Sequence, residues 1–148
     1  MAAMPRILII DDHSPIVGLL KKFCKAENYE VETAMSGTAG LRLVRETLPD
    51  LVLVDLKLGD MTGLDLLRTA KAEGCTSRFV FITGCAEVRT AVEAMKGGAS
   101  DYLTKPVDLD ELRTVIRSAL EERAQGTTAR KLILVYPKTT AAPVAQGA

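Results

Sequence analysis

The sequence predicts an α/β fold in which helices cover both faces of one parallel sheet, a doubly wound arrangement of five strands and five helices. Short, nearly continuous apolar runs recur along the chain. Three of them, ILII (7–10), LVLV (51–54) and FVFI (79–82), have the character of strands that are buried on both faces. Segments with helical spacing separate the runs, which favours parallel strands joined by crossover helices.

Each predicted element rests on its own local signal. The predicted strands are 6–10, 29–34, 51–55, 79–83 and 101–104. The first helix is predicted to have Ser14 as its N-cap and Pro15 at its first position, with an apolar side that includes Leu20 and Phe23. The other predicted helices are 38–47 (ended by Pro49), 64–72 (ended by Gly74), 87–96 (ended by Gly97 and Gly98) and 108–123.

Length and composition indicate one soluble domain followed by a tail. The chain has 148 residues, of which 47% are hydrophobic and 26% charged. No apolar run approaches the roughly 20 residues of a membrane helix, and the N-terminus lacks the pattern of a signal peptide, so we expect a cytoplasmic protein. The three cysteines (24, 75 and 85) are widely spaced, which predicts neither a disulfide framework nor a zinc site.

The charge is balanced overall but unevenly distributed. There are 19 basic and 19 acidic residues, so no net field attracts nucleic acid, and we expect no direct nucleic-acid binding and no membrane contact. From Arg123 onward the chain contains four basic residues and no acidic one. The body is therefore mildly acidic and the tail is basic.

Polar residues follow the apolar runs at one edge of the predicted sheet. Asp11 and Asp12 follow the first strand, Asp55 ends the third, Thr83 ends the fourth and Lys105 follows the fifth. Ligands of doubly wound sheets bind at the carboxyl ends of the strands, so these residues predict a site there. Three converging carboxylates repel one another unless a cation neutralises them, and hard oxygen ligands suit Mg²⁺.

These residues resemble the signature of two-component response regulator receiver domains. The resemblance consists of the Asp11-Asp12 pair, LVLVD ending at Asp55, the threonine after FVFI, and the Lys105-Pro106 pair, and it covers residues 6 to about 122. One such element occurs by chance in many chains, whereas all four at the proper strand ends are specific. The resemblance implies a flavodoxin-like, chemotaxis-receiver-like sheet with the strand order 2-1-3-4-5.

The resemblance also implies roles for individual residues. Asp55 is the phosphoacceptor, which takes a phosphoryl group from a sensor histidine kinase, a phosphotransfer protein or a small acyl phosphate. Asp12 binds Mg²⁺ directly, Asp11 binds it through water, and Asp55 and the backbone carbonyl of Lys57 complete the protein ligands. Phosphate-binding groups are Lys105, the Thr83 hydroxyl and the backbone N–H of Gly84. Such a chain is no metabolic enzyme, because it catalyses only its own phosphorylation and dephosphorylation.

Signalling in this family follows from the added phosphoryl charge. Thr83 moves inward and an aromatic of the fifth strand, here Tyr102, swings into the vacated space. The face made by the fourth helix, fifth strand and fifth helix is thereby remodelled for a partner or for homodimerisation. One departure stands out: the family usually has proline four residues after the phosphoacceptor, and this chain has Gly59, which predicts a looser loop beside the Mg²⁺ site.

The domain is predicted over residues 4–124, and 125–148 form a tail or linker that is expected to be largely disordered. The tail contains a β-prone segment, KLILVY (131–136), which suits pairing with a sheet edge, binding of a partner by strand addition or the stub of a removed output domain. The leading interpretation is a stand-alone receiver. The alternative is the regulatory part of a longer enhancer-binding transcription factor, because residues 88–106 resemble receivers of that branch.

A rival function from another class is a phosphatase of the haloacid dehalogenase type, which also uses an aspartate nucleophile and Mg²⁺. That family needs a second aspartate two residues after the first. Lys57 occupies this position here, which argues against the phosphatase.

Overall fold

Five parallel strands form one sheet in the order β2-β1-β3-β4-β5 in the computed structural model, which describes residues 4–84 and 88–125. The strands are β1 (Arg6–Ile10), β2 (Glu30–Ala34), β3 (Leu51–Val54), β4 (Arg78–Thr83) and β5 (Asp101–Thr104). The helices are α1 (Ser14–Ala26), α2 (Gly37–Thr47), α3 (Gly63–Ala72), α4 (Val88–Lys96) and α5 (Leu109–Gln125). The flavodoxin-like fold and its strand order, 2-1-3-4-5, are confirmed.

The apolar runs supply both faces of the sheet because side chains alternate along a strand. One core cluster contains Leu8, Val52 and Phe79 of the strands, packed with apolar residues of α2, α3 and α4. The other contains Ile9 and Leu53, packed with residues of α1 and α5. A strand that is covered on both sides has no polar face, which is why these runs lack the alternation of a half-exposed strand.

Strand register brings the carboxyl ends of β1, β3, β4 and β5 to one edge. Ile10 lies opposite both Ala34 of β2 and Val54 of β3, and Thr83 lies opposite Thr104. The residues that follow these strands therefore meet at this edge, as the sequence predicts.

Helix boundaries differ from the predicted ones by one or two residues, which is the usual uncertainty of such limits. The one difference with a chemical consequence is at α1. Ser14 is already helical, and His13 is the N-cap without a side-chain capping bond, so the prediction of Ser14 as N-cap is wrong. The backbone N–H of His13 instead donates to Asp11 Oδ1 at 2.9 Å, which ties the helix start to the acidic pair.

Two glycines of the helices are expected to respond to alanine in opposite ways. A Cβ at Gly18 of α1 meets nothing within 4 Å in the described part of the chain, so Gly18→Ala should raise the free energy of unfolding by about 0.5–1 kcal/mol through helix propensity. A Cβ at Gly40 of α2 comes within 2.5 Å of Ile10 Cδ1, so Gly40→Ala should lower it by about 1–3 kcal/mol. Urea unfolding of both variants measures the two changes. A change of the same sign in both free energies of unfolding would contradict the packing of α2 on β1.

Several predictions fall outside the described part of the chain. Residues 126–148, which include most of the predicted tail and the segment 131–136, lie there, as does Cys85.

Cys24 and Cys75 are free thiols. Burial, followed by the charge of Glu27, raises the pKa of Cys24 to about 12. Over the described ranges, no helix combines the length and apolarity that a membrane crossing requires.

Candidate phosphoacceptor and metal site

Three aspartates converge at the carboxyl edge of the sheet. Asp11 and Asp12 follow β1, Asp55 follows β3, and one carboxylate oxygen of each lies within 4.8 Å of the others. Asp11 and Asp55 are buried, with 2% and 9% of their surfaces exposed, whereas Asp12 faces solvent. The backbone N–H of Asp55 donates to the carbonyl of Ile10, so adjacent strands hold the two buried acids in register.

Lys105 lies between the two buried carboxylates. Its Nζ donates to Asp11 Oδ2 at 2.9 Å and to Asp55 Oδ2 at 3.0 Å, and its side chain is 18% exposed. Burial lowers the pKa of Lys105, but the hydrogen bonds to Asp11 and Asp55 and the charges of both acids outweigh it, so the net pKa is raised. The backbone N–H of Lys105 donates to the carbonyl of Thr83, which positions the lysine from β4.

The donor set fits a small divalent cation. With formal charges, three carboxylates and one ammonium leave two negative charges, which one divalent cation balances. Oxygens bound directly to one Mg²⁺ at about 2.1 Å lie at most about 4.2 Å apart, and an oxygen that binds through water lies farther away, so a cluster of oxygens within 4.8 Å of one another suits this cation. Carboxylates and a backbone carbonyl are hard ligands of the kind that Mg²⁺ prefers.

The other predicted residues lie on β4 and β5 or directly after β4. Thr83 is buried at the end of β4. Gly84, which follows it, is exposed, and among the described residues a Cβ at this position would meet nothing within 4 Å. Tyr102 is half-buried on β5, opposite Phe81, and packs against the core beneath α2, α3 and α4. Thr83 and Gly84 therefore lie at the carboxyl edge of the sheet, whereas Tyr102 lies within β5, two residues before that strand ends.

The loop from Asp55 to Thr62 connects β3 to α3 beside the aspartates. Lys57 is exposed, its backbone N–H lies 3.4 Å from Asp55 Oδ1, and it forms an isolated antiparallel bridge with Thr62. Leu58 is buried, and its N–H donates to the carbonyl of Met61. A Cβ at Gly63 would overlap the backbone carbonyl oxygen of Asp55, so only glycine fits where α3 begins.

Asp60 is a residue of this loop that sequence reasoning missed. Its carboxylate accepts hydrogen bonds from the backbone N–H of Gly37 (2.8 Å), the N–H of Thr38 (2.9 Å) and the hydroxyl of Thr38 (2.7 Å). These bonds, first that of the Thr38 hydroxyl, lower the pKa of Asp60 to about 2. No local pattern could have identified this cap, because Asp60 lies more than twenty residues from the start of α2.

Gly59 has φ +84°, a backbone conformation that proline, fixed near −65°, does not adopt. Gly59→Pro is therefore expected to distort the loop and to lower the free energy of unfolding by more than about 1 kcal/mol, although proline is the usual residue here in the receiver domains that the sequence resembles. Urea unfolding of Gly59→Pro and Gly59→Ala measures the effect. A proline variant more stable than the alanine variant would contradict the positive φ.

Comparison with known proteins identifies a family. The model of the response regulator receiver domain matches residues 7–117. Over 132 residues, the chain is 35% identical to the regulatory protein AtoC of Escherichia coli, a match that covers 89% of this chain and 29% of AtoC. The chain thus spans less than a third of that relative's length.

Solved structures agree with this result. The structure of a CheY-like response regulator receiver domain protein from Methanospirillum hungatei has a TM-score of 0.80 and 33% identity, and the match covers 84% of this chain and all of that one. The beryllofluoride-activated NtrC4 receiver domain dimer has a TM-score of 0.77 and 29% identity, with 81% and 99% covered. The fold, the acidic edge and these matches establish that the chain belongs to the response regulator receiver domain family, the signalling domains of two-component systems.

Proposed function

We propose that this chain is a phosphoacceptor in which Asp55 receives a phosphoryl group. The observation that carries the proposal is the convergence of Asp11, Asp12 and Asp55 within 4.8 Å, with the Lys105 ammonium 3.0 Å from Asp55. Family membership supports it, because the same residues carry the resemblance in the sequence.

The proposed reaction forms a bond between a carboxylate oxygen of Asp55 and phosphorus. The bond from phosphorus to the donor breaks, and its electron pair leaves with the imidazole of a histidine kinase or phosphotransfer protein, or with acetate when acetyl phosphate is the donor. Asp55 is a suitable acceptor because its side chain is still 11% exposed at the edge of the sheet, where a donor can approach it. Hydrolysis of the aspartyl phosphate by water later restores the carboxylate.

The residues proposed to hold Mg²⁺ are Asp12 directly, Asp11 through water, Asp55, and Lys57 through its backbone carbonyl. When bound, Mg²⁺ supplies neutralisation of the charge that develops on the phosphoryl oxygens. Lys105 is proposed to exchange its contact with Asp55 for a phosphoryl oxygen, since its Nζ already lies at hydrogen-bonding distance from the acceptor.

The proposed output is a change at the face of α4, β5 and α5. Thr83 and the N–H of Gly84 are proposed to bind a phosphoryl oxygen, and Tyr102 to follow the movement of Thr83. Tyr102 suits this role because it is half-buried on β5, the strand that pairs with β4, at whose end Thr83 lies. Partner binding or homodimerisation would then favour the phosphorylated arrangement.

The proposed partners are a sensor histidine kinase or a phosphotransfer protein, in the cytoplasm, with output through protein contacts and not through direct DNA or membrane binding. Residues 4–124 would form the receiver and 125–148 a tail or linker. AtoC is a longer regulatory protein, so output through a further domain is an alternative to a stand-alone receiver. The activated NtrC4 receiver is a dimer, which supports testing for dimerisation of this chain.

Acetyl or carbamoyl phosphate with Mg²⁺ is expected to add one phosphoryl group to the wild-type chain. Mass spectrometry after borohydride trapping should locate it on Asp55, and gel filtration of the same sample tests whether phosphorylation drives dimerisation. A label on another residue, or no label at all, would contradict the proposed function.

A further inference from the structure

The loop tip from Gly59 to Met61 lies between the acidic edge and the start of α2. On one side, a Cβ built on Gly59 would lie 3.6 Å from Asp12 Oδ2. On the other side, a Cβ built on Gly37 would overlap Met61 Cγ and lie 3.1 Å from Asp60 Oδ1. The start of α2 and the loop tip are therefore in direct contact, and the loop tip in turn approaches Asp12.

Asp60 makes the polar part of this contact. Its two carboxylate oxygens accept three hydrogen bonds from Gly37 and Thr38, all between 2.7 and 2.9 Å. Bonds from N–H groups at a helix N-terminus to a carboxylate are charge-assisted and benefit from the helix dipole. Ser36 caps the same helix separately, since its Oγ accepts from the N–H of Ala39 at 3.1 Å. The α2 terminus thus has a local cap from its own chain segment and a long-range cap from the loop.

The long-range cap has a consequence for the metal site. Gly59 occupies the position where the family usually has proline, and glycine leaves the free loop more conformations than proline does. A metal ligand on a loose loop must be ordered when the cation binds, and this cost weakens binding. Asp60 supplies an alternative restraint, because it attaches the loop to a helix that is itself packed on the sheet.

We infer that Asp60 is a positioning residue for the Mg²⁺ site: by capping α2 it holds the loop 57–62, with the Lys57 carbonyl and Gly59, beside Asp12. The inference rests on the proposed function for the identity of the cation. Asp60 itself contacts no reacting atom. It acts on the site through the backbone of its own loop.

The test is the Mg²⁺ affinity of the full chain, measured by isothermal titration calorimetry or by amide chemical shifts with Mg²⁺ alone and no phosphoryl donor. Asp60→Ala is expected to bind Mg²⁺ about tenfold more weakly than wild type, the usual cost of losing an outer-shell restraint. Ser36→Ala removes the other cap of α2 without touching the loop. It should unfold at a lower urea concentration than wild type and keep the wild-type Mg²⁺ affinity.

A third variant separates positioning from charge, since Asp60 also contributes a negative charge near the cation. Thr38→Val removes the hydroxyl donor to Asp60 and changes no charge, and it is expected to weaken Mg²⁺ binding about threefold. If Thr38→Val binds as wild type while Asp60→Ala is weaker, the effect is electrostatic and the inference is overturned. It is also overturned if Ser36→Ala weakens binding as much as Asp60→Ala, because α2 stability alone would then be the cause.

The phosphorylation rate supplies a further readout. In Asp60→Ala, the Mg²⁺ concentration at half-maximal rate should rise about tenfold while the rate at saturating Mg²⁺ stays near that of wild type. If the rate at saturating Mg²⁺ falls while the Mg²⁺ concentration at half-maximal rate is unchanged, the inference is overturned and the proposed function stays intact. If the wild-type chain binds no Mg²⁺, both the inference and the proposed cation are wrong, which the first titration decides.

Discussion

Replacement of Asp55 by asparagine is expected to abolish phosphoryl uptake from acetyl phosphate. Asparagine has nearly the same shape, but its amide oxygen is a poor nucleophile and carries no charge to bind the cation. The fold should persist, because Lys105 retains its bond to Asp11 at 2.9 Å. Intact-mass spectrometry of the two proteins after incubation with acetyl phosphate and Mg²⁺ measures the difference.

The matched control is Asp65→Asn. Asp65 is an exposed acid in the first turn of α3, ten residues along the chain from Asp55 and outside the acidic cluster. This variant should take up a phosphoryl group as the wild type does. Uptake by Asp55→Asn at the wild-type rate would mean that another residue is the acceptor, and the proposed function would have to be abandoned.

The second large effect is expected for Lys105→Met without Mg²⁺. The substitution leaves the buried carboxylates of Asp11 and Asp55 without the ammonium that now bridges them. A buried acid that loses its partner is strongly destabilised, and since the Lys105 side chain is 18% exposed we expect a loss of about 2 kcal/mol in the free energy of unfolding. Urea unfolding in a buffer with a chelator measures this loss.

Mg²⁺ should reverse much of the loss. The cation competes with Lys105 for the same two carboxylates, so its affinity for Lys105→Met should rise about tenfold, equivalent to about 1.4 kcal/mol. Unfolding with and without Mg²⁺ therefore gives a larger difference for the variant than for wild type. The control is Lys22→Met, which changes an exposed lysine of α1. It should change neither the free energy of unfolding in chelator nor the stabilisation by Mg²⁺ by more than about 0.5 kcal/mol. An unchanged stability of Lys105→Met in chelator would contradict the bridging geometry.

The pH dependence of the free energy of unfolding follows from the direction in which the pKa of Lys105 shifts. This pKa is raised above 10.5 in the folded chain, so the ion pairs of Lys105 with Asp11 and Asp55 stabilise the folded chain fully near neutral pH and up to about pH 10.5. Their contribution is lost as the pH rises through the folded-state pKa. The stability difference between wild type and Lys105→Met should therefore be constant near neutral pH and shrink only in strongly alkaline solution.

The sequence was sufficient to predict most of the fold because its signals are local. Runs such as LVLV are long enough for one strand and too short for a helix, and Gly74 and Gly98, which follow α3 and α4, adopt the positive φ that ends helices. The start of α1 was misplaced by one residue for a local reason. Ser14 has the chemistry of a cap, but Asp11 binds the N–H of His13 and the helix begins one residue earlier.

The amino-acid sequence by itself determined the class of sheet and the edge at which Asp11, Asp12, Asp55, Thr83 and Lys105 would meet. These follow from apolar periodicity and from the rule that parallel strands end at the same edge. Only the tertiary structure decided that Lys105 bridges two carboxylates, that Gly59 takes a conformation closed to proline, and that Asp60 caps α2. Each of these depends on distances between segments that are far apart in the chain, which the packing of the core sets and no local pattern records.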